Sequence, residues 1–168
     1  VGADLRTAAA CSELVAACVE RHGRLDILVN NAAVVGVPAL GDIFEFDDGQ
    51  LDDIVDVNLK AVFRCSRHAA RSMRAHGSGV IVNVTSSVTL AAMPLAGVYT
   101  ASKTAITGLT GSVALELAAF DVRVKLVEPG YAPTTRFAEN GAARIQGLIP
   151  EAYMPFAGPI FAAFAQPA

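Results

Sequence analysis

The stretch GVIVNVTSS, residues 79–87, is an apolar run that ends in three small hydroxyl residues. Short apolar runs of this kind are typical of strands buried in a parallel sheet. Two further runs end in polar or turn residues, namely LDILVNNAA (25–33) and VRVKLVEPG (122–130). We therefore predict a strand in each of the three, and we interpret VGADL (1–5) as the end of a fourth.

Helical patterns separate these strands. Residues 7–23 have helical periodicity and stop at a glycine, residues 47–77 are helical in two pieces, and residues 98–120 form a third helical segment. Alternation of strand and helix predicts an α/β fold built from right-handed βαβ units on a parallel sheet. The 168 residues are predicted to form one domain, with the sheet and helices in 1–130 and a proline-rich, loop-like region in 131–168.

Composition excludes several classes of function. The net charge is −3 without a basic cluster, which argues against nucleic-acid binding. Charge or glycine interrupts every apolar run before the roughly 18–20 residues that span a bilayer, and no segment has the form of a signal peptide. We therefore expect no nucleic-acid partner and no membrane contact, and a cytoplasmic location.

Cysteine and histidine spacing gives no indication of a metal. The cysteines are Cys11, Cys18 and Cys65, and the histidines are His22, His68 and His76. No CxxC pair is present and the cysteine count is odd, so we expect reduced thiols in a reducing compartment. The histidines show no ligand spacing, and no metal site is predicted.

Polar or turn residues stand at the end of each predicted strand. They are Asp4, Asn30, Asn31, Thr85, Ser86, Ser87 and the turn Glu128-Pro129-Gly130. In open parallel sheets, ligands bind beyond the carboxyl ends of the strands. The clustering predicts one crevice that contains a functional site.

Within VYTASKTAI (98–106), Tyr99 precedes Lys103 by four residues, so both side chains lie on one face of the predicted helix. A free tyrosine has a pKa of about 10 and is a poor acid or base at neutral pH. A nearby ammonium favours the phenolate and lowers that pKa. Ser86 or Ser87 is placed to supply a hydroxyl that holds a substrate oxygen beside the phenol.

Five short motifs occur in one order along the chain: NNAA (30–33), VNL (57–59), NVTSS (83–87), YTASK (99–103) and EPG (128–130). In this combination the sequence resembles the classical short-chain dehydrogenase/reductase family, from residue 1 to about residue 137. The resemblance implies a Rossmann-type, doubly wound parallel sheet. It also implies an oxidoreductase that binds NAD or NADP and transfers a hydride between the cofactor and an alcohol or carbonyl substrate.

The resemblance also implies catalytic roles. Tyr99 would be the general acid/base, and Lys103 would lower its pKa and hydrogen-bond the nicotinamide ribose. Asn58 matches the asparagine that holds a water in the proton relay. Motif context favours Ser87 as the substrate-orienting serine, whereas the family's usual gap of about thirteen residues selects Ser86. We prefer Ser87, with the following loop one residue shorter.

Cofactor contacts near the first two strand ends follow from the same resemblance. Asp4 matches the acidic residue that contacts adenine. The run Asn30, Asn31, Ala32 and Ala33 resembles the family's N-N-A-G, whose backbone and first asparagine flank the cofactor. Ala33 stands where glycine is usual, a departure that keeps the residue small.

The resemblance also implies that the residues after the third predicted strand contact the nicotinamide ring of the cofactor. Pro129 and Gly130 would redirect the chain beside the nicotinamide, and Thr134 matches the threonine that binds its carboxamide, with Thr135 as the alternative. Residues 131–168 would be the substrate loop.

The substrate itself is not indicated beyond an apolar cleft, to which Met93, Leu95 and Met154 would contribute. The apolar helices around 58–75 and 99–118 match those that pair family members into dimers or tetramers.

The family's glycine-rich turn, which meets the pyrophosphate, has no counterpart in this sequence. The residues correspond to the family's strands three to six, so we expect a partial sequence of a longer protein, with a natural minimal form as the alternative. The edge of LDILVNN would then lie open. Two further functional hypotheses remain at this point: a cofactor-free remnant that acts as a binding or scaffold module, and a lyase or epimerase of the same family.

Overall fold

The computed structural model describes residues 1–36, 39–91, 93–130 and 151–164. Along the chain the helices are α1 (Ala8–His22), α2 (Asp48–Val55), α3 (Ala61–His76), α4 (Gly97–Leu117) and α5 (Met154–Phe164). The strands are β1 (Ile27–Asn30), β2 (Gly79–Val84) and β3 (Val122–Val127). A π-helical turn (Asp56–Lys60) joins α2 directly to α3.

The three strands form one parallel sheet in the order β1-β2-β3. Leu28 lies opposite Ile81, and Ile81 lies opposite Val124. Since α2 and α3 connect β1 to β2, and α4 connects β2 to β3, each crossover is helical, as parallel neighbours require. The predicted α/β fold with a parallel sheet is confirmed.

Residues 1–4 do not form the predicted strand end. They are irregular, and Val1 is 95% exposed. A strand is stable only when a neighbour satisfies its backbone groups, and within the described residues the sheet contains only β1, β2 and β3. The segment 1–4 therefore has no strand beside it to pair with.

Local sequence signals explain where the helices start and stop. The Thr7 hydroxyl accepts a hydrogen bond from the Ala10 amide at 3.2 Å and caps α1, which ends at Gly23 with a φ of 79°. Asp47 and Gln50 form a reciprocal capping box at the start of α2. The predicted helices thus agree with the structure to within a few residues.

The core lies between one face of the sheet and helices α3 and α4. Its buried members are Ala69, Met73, Ile81, Val122 and Val124. Each fully buried large side chain contributes about 1.5–3 kcal/mol relative to exposure, so this layer fixes both helices, and with them the side chains at their ends, on the sheet.

The opposite face is not covered in the same way, since Ile27 and Val29 of the edge strand β1 are 60% and 56% exposed. In the part of the chain that the structure describes, no helix is long and apolar enough to cross a membrane.

Candidate active site

The candidate site lies at the carboxyl edge of the sheet. Because the strands are parallel, the segments that follow Asn30, Val84 and Val127 all leave the sheet on this side. Two bonds continue the pairing past the strand ends: the Thr85 amide donates to the Val127 carbonyl at 2.8 Å, and the Ser87 amide donates to the Pro129 carbonyl at 3.1 Å. The serine-bearing turn and the Pro-Gly turn are therefore held side by side.

Tyr99 and Lys103 lie in the first turns of α4, above this edge. The Lys103 Nζ atom is 5.9 Å from the centroid of the Tyr99 ring. Lys103 is 4% exposed, and its ammonium donates to the carbonyl of Val84, the last residue of β2, at 3.0 Å. Helix α4 thus places the side chains of Tyr99 and Lys103 close to each other, as predicted.

The protonation equilibria of this pair are governed mainly by burial. Burial raises the pKa of Tyr99, and a hydrogen bond with Ser86 opposes that rise. Burial also lowers the pKa of Lys103, because the ammonium loses hydration. The expectation of a lowered tyrosine pKa is not met in this structure, since the cost of burying the phenolate dominates.

The two candidate serines occupy different positions. The Ser86 side chain lies near enough to the Tyr99 phenol to lower its pKa, and its hydroxyl accepts a hydrogen bond from the Val88 amide at 3.4 Å. Ser87 begins a short 3-10 turn and meets Pro129 through its backbone. Ser86, which the thirteen-residue spacing selects, is therefore the serine that acts on the pKa of Tyr99, while the choice between it and the preferred Ser87 as substrate-orienting residue stays a prediction.

Asn58 lies in the π-helical turn and is fully buried. Its Oδ1 accepts from the Val34 amide at 2.7 Å, and its Nδ2 donates to the Val34 carbonyl and to the Ser102 Oγ, both at 3.2 Å. Ser102 in turn donates to the Tyr99 carbonyl at 2.7 Å. The asparagine therefore links the segment after β1 to the helix turn that carries the tyrosine, and both amide donors are already in use.

A second polar chain crosses the sheet beneath the site. Asn30 Nδ2 lies 2.8 Å from Asn83 Oδ1 and 3.0 Å from Ser66 Oγ. Asn83 then donates to Thr110 of α4 at 2.9 Å. Asn30 thus turns inward and ties β1 to β2 and to α3, whereas Asn31 and Ala32 are exposed.

The sequence interpretation did not single out Asn83, Ser66, Thr110 or Ser102. A polar amide inside the apolar run GVIVNV was the available signal for Asn83. The other three are small hydroxyl residues on helices, where the sequence does not distinguish a buried partner from a solvated residue.

Asp4 lies in a surface ion-pair cluster. Arg6 Nη2 lies 2.8 Å from Asp4 Oδ2, and Arg6 Nη1 lies 3.2 Å from Asp53 Oδ1 on α2. Hydrogen bonds from Arg6 lower the pKa of Asp4. The guanidinium thus fixes the orientation of the carboxylate predicted to face adenine.

The remaining cofactor candidates are at the end of β3 or beyond it. Pro129 and Gly130 are exposed, while Thr134 and Thr135 lie outside the described residues. Nearby, the Thr89 hydroxyl lies 2.7 Å from Glu128 Oε1, a third link between the serine-bearing turn and the Pro-Gly turn.

The donors at this edge fit a dinucleotide. Among the described residues the buried Lys103 ammonium makes one hydrogen bond, so two of its three N–H donors remain for ligand hydroxyls. Among the described residues, a Cβ placed on Gly130 would meet no atom within 4 Å. Within the described residues no group of three His, Cys, Asp or Glu side chains could hold a metal ion.

Comparison with known proteins identifies a family. Residues 1–144 match the family described as short chain dehydrogenase. A 3alpha-hydroxysteroid dehydrogenase from Mediterraneibacter gnavus is 38% identical over 145 residues, which cover 86% of this chain and 57% of that protein.

Solved structures give the same result. A metagenomic short-chain oxidoreductase in complex with NADP has a TM-score of 0.72 at 35% identity, covering 79% of this chain and 59% of that one. An NAD+-bound xylitol dehydrogenase has a TM-score of 0.81 at 24% identity, covering 96% and 62%, and shows the shared fold. The chain spans about half the length of the curated relatives that it matches.

Proposed function

The chain belongs to the short-chain dehydrogenase family. We propose that the protein of which it is part is an NAD(P)-dependent oxidoreductase. The reaction interconverts an alcohol and a carbonyl compound. One observation carries the proposal: the half-buried Tyr99 and the buried Lys103 lie together, with Ser86 near the phenol, at the carboxyl edge of a parallel sheet. Ligands of open α/β sheets bind at that edge.

Tyr99 is the proposed general acid/base. In the oxidation direction its phenolate takes the hydroxyl proton of the substrate while the carbinol carbon loses a hydride, so that alcohol becomes carbonyl. In the reduction direction the phenol returns that proton to the carbonyl oxygen as the carbon gains a hydride. A bound nicotinamide dinucleotide accepts or supplies the hydride. The hydrogen bond with Ser86 lowers the pKa of Tyr99 and so favours the phenolate.

Ser86 is the proposed substrate-orienting residue. Its hydroxyl is next to the phenol and is itself held by the Val88 amide. A substrate oxygen that bridges Ser86 and Tyr99 is therefore placed for proton transfer without reorganisation of the turn.

Lys103 is proposed to hold the ribose and to stabilise the phenolate. Its position is set by the Val84 carbonyl, which leaves donors for ribose hydroxyls. Asn58 is proposed to hold the helix turn that carries Tyr99 in position through Ser102. Since both amide donors of Asn58 are engaged, a relay water would bind another group.

The remaining cofactor contacts are proposals from the family resemblance. Asp4 would face adenine, and the segment Asn30–Ala33 would flank the dinucleotide. Pro129 and Gly130, followed by Thr134, would bound the nicotinamide. The NADP complex among the relatives supports NADP as well as NAD as the candidate.

We also propose a homo-dimer or homo-tetramer in the cytoplasm. Exposed Phe63 on α3 and Leu115 on α4, which are 46% and 82% accessible, are apolar side chains that a second copy would cover. Cys11, Cys18 and Cys65 are free thiols, in keeping with a reducing compartment.

A labelled substrate tests the reaction type. A secondary alcohol with deuterium on its carbinol carbon is incubated with the protein and NAD or NADP, and the nicotinamide is examined by mass spectrometry. We expect deuterium on the nicotinamide and a matching amount of ketone. Substrate conversion without transfer of deuterium would instead favour the lyase or epimerase, and absence of nucleotide binding would favour the scaffold module.

A further inference from the structure

An apolar pocket of about 250 Å³ lies beside the start of α4. Its main lining residues are Ile43, Phe46, Met93, Leu95, Val98 and Tyr153. Among the residues that the structure describes, none that lines the pocket carries a formal charge. Three separate chain segments meet here, although none of them is part of the sheet.

Specific contacts hold the walls of this pocket together. The Gly41 amide donates to the Leu95 carbonyl at 2.9 Å. A Cβ on Gly41 would meet the Phe46 ring at 2.7 Å, so a glycine is needed for that ring to pack here. Asp42 lies near enough to Tyr153 to raise the pKa of its phenol. The Gly41–Leu95 bond thus joins the segment before α2 to the residues that lead into α4.

Leu95 has a φ of 63°, a left-handed conformation that costs a non-glycine residue free energy. Such backbone strain is retained where the surrounding structure enforces it, commonly at ligand sites. In this protein the strained residue contributes its side chain to the pocket and its carbonyl to the Gly41 contact.

The pocket adjoins the proposed catalytic residues through the chain itself. Val98 immediately precedes Tyr99, and Met93 and Leu95 belong to the connection that runs from Ser86 to α4. The pocket is therefore lined in part by the same stretch of chain that runs between the two proposed catalytic residues.

We propose that this pocket binds the hydrocarbon substituent of the substrate, which makes the substrate a secondary alcohol or ketone with a compact, uncharged apolar group. The proposal rests on the proposed function. The volume exceeds the roughly 150 Å³ of a cavity that accepts one benzene ring, and it is below the roughly 300–1,000 Å³ of sites for drug-sized ligands. One ring with a short branch fits, whereas a larger skeleton would extend out of the pocket.

Gly97 offers a way to fill the pocket. It lines the pocket, lies in the first turn of α4, and a Cβ there would meet no atom within 4 Å. The variant Gly97→Leu therefore occupies the space without a backbone clash. Gly108→Leu is the matched control, because Gly108 is an equally open glycine about 16 Å further along the same helix and outside the lining.

The kinetic test compares 1-cyclohexylethanol with propan-2-ol. We expect a KM at least about tenfold lower for the cyclohexyl alcohol, since each buried methylene is worth about 0.8 kcal/mol. Gly97→Leu should raise that KM about tenfold or more and leave that of propan-2-ol within about twofold, while Gly108→Leu changes neither. Equal effects of Gly97→Leu on both alcohols would overturn the proposal.

A binding measurement tests the pocket independently of the proposed dehydrogenase activity. Cyclohexyl methyl ketone is titrated into protein with ¹³C-labelled methionine methyl groups, and the Met93 signal is assigned with Met93→Leu. A saturable shift of that signal that Gly97→Leu weakens supports the pocket even if no turnover occurs. Turnover of both alcohols without any shift of the Met93 signal would keep the dehydrogenase and reject the pocket, and no shift with no turnover rejects both.

Discussion

At the scale of single residues, burial and the neighbouring Ser86 act on the pKa of the Tyr99 phenol in opposite directions. Burial raises the pKa of Tyr99, and the hydrogen bond with Ser86 lowers it. The Lys103 ammonium is held by the Val84 carbonyl rather than by the phenolic oxygen. Of the two causes that act on the pKa of Tyr99, Ser86 is the one that favours the phenolate.

Replacement of the two serines should give unequal losses. Ser86→Ala removes the hydroxyl that contacts the phenol and is expected to lower kcat/KM about 100-fold or more, as for the loss of one donor to a reacting oxygen. Ser87→Ala keeps the backbone bond to Pro129 and should cost less than about tenfold. Steady-state kinetics of both variants measures the difference, and a larger loss for Ser87→Ala would return the role to that residue.

The pH profile should respond to the same hydroxyl. Alcohol oxidation requires the phenolate, so the rate rises as pH approaches the pKa of Tyr99 from below. Because the Ser86 hydrogen bond lowers the pKa of Tyr99, its loss in Ser86→Ala should move the rising limb of kcat/KM to higher pH. Profiles of wild type and variant measured in the same buffers decide this, and a shift to lower pH would contradict the account.

At the scale of secondary-structure elements, Asn58 joins three parts of the chain. Its amide binds both backbone groups of Val34 and the Ser102 hydroxyl from a fully buried position. The π-helical turn that carries it therefore fixes the segment after β1 relative to α4.

Removal of this link should destabilise the fold. Asn58→Ala leaves the Val34 amide and carbonyl without their partner, and we expect a loss of about 2–4 kcal/mol in the free energy of unfolding. Asn31→Ala, at an exposed asparagine, should change it by less than about 0.5 kcal/mol. Urea denaturation of both variants provides the measurement. Equal stabilities would show that the bonds to Val34 do not secure the fold.

The elements themselves were largely predictable from sequence, because their signals are local. The apolar runs predicted β1, β2 and β3, and Gly23 predicted the end of α1. The segment 1–4 was predicted wrongly, since a strand depends on a neighbour that local sequence does not show.

The proximity of Tyr99 and Lys103 was predictable because residues four apart share one face of a helix, while their catalytic roles stay a prediction. The position of Ser86 beside the phenol, the inward turn of Asn30 and the strained Leu95 depend on how separate segments pack. No local pattern contains that information.

At the scale of the whole molecule, the described residues cover the two faces of the sheet unequally. One face packs on α3 and α4, while the edge strand β1 presents Ile27 and Val29 on the opposite face. An open apolar edge strand is a site for pairing with another chain.

Charge on this edge should therefore reduce aggregation of the 168-residue chain. The double variant Ile27→Lys/Val29→Lys is expected to slow the rise in light scattering on heating, because edge lysines oppose strand pairing. Leu115→Lys, at a position on α4 that is 82% exposed, is the control and should have a smaller effect. Equal suppression by both variants would show that the edge is not the site of association.

Tyr99 is proposed to transfer the proton in the hydride-transfer reaction. In Tyr99→Phe the ring remains but the phenolic oxygen is lost, so turnover of a secondary alcohol with NAD or NADP should fall about 10²–10⁴-fold. The dissociation constant of the nucleotide, measured by titration of the same variant, should stay within about twofold. A variant that retains turnover would contradict the assignment of Tyr99 as the acid/base.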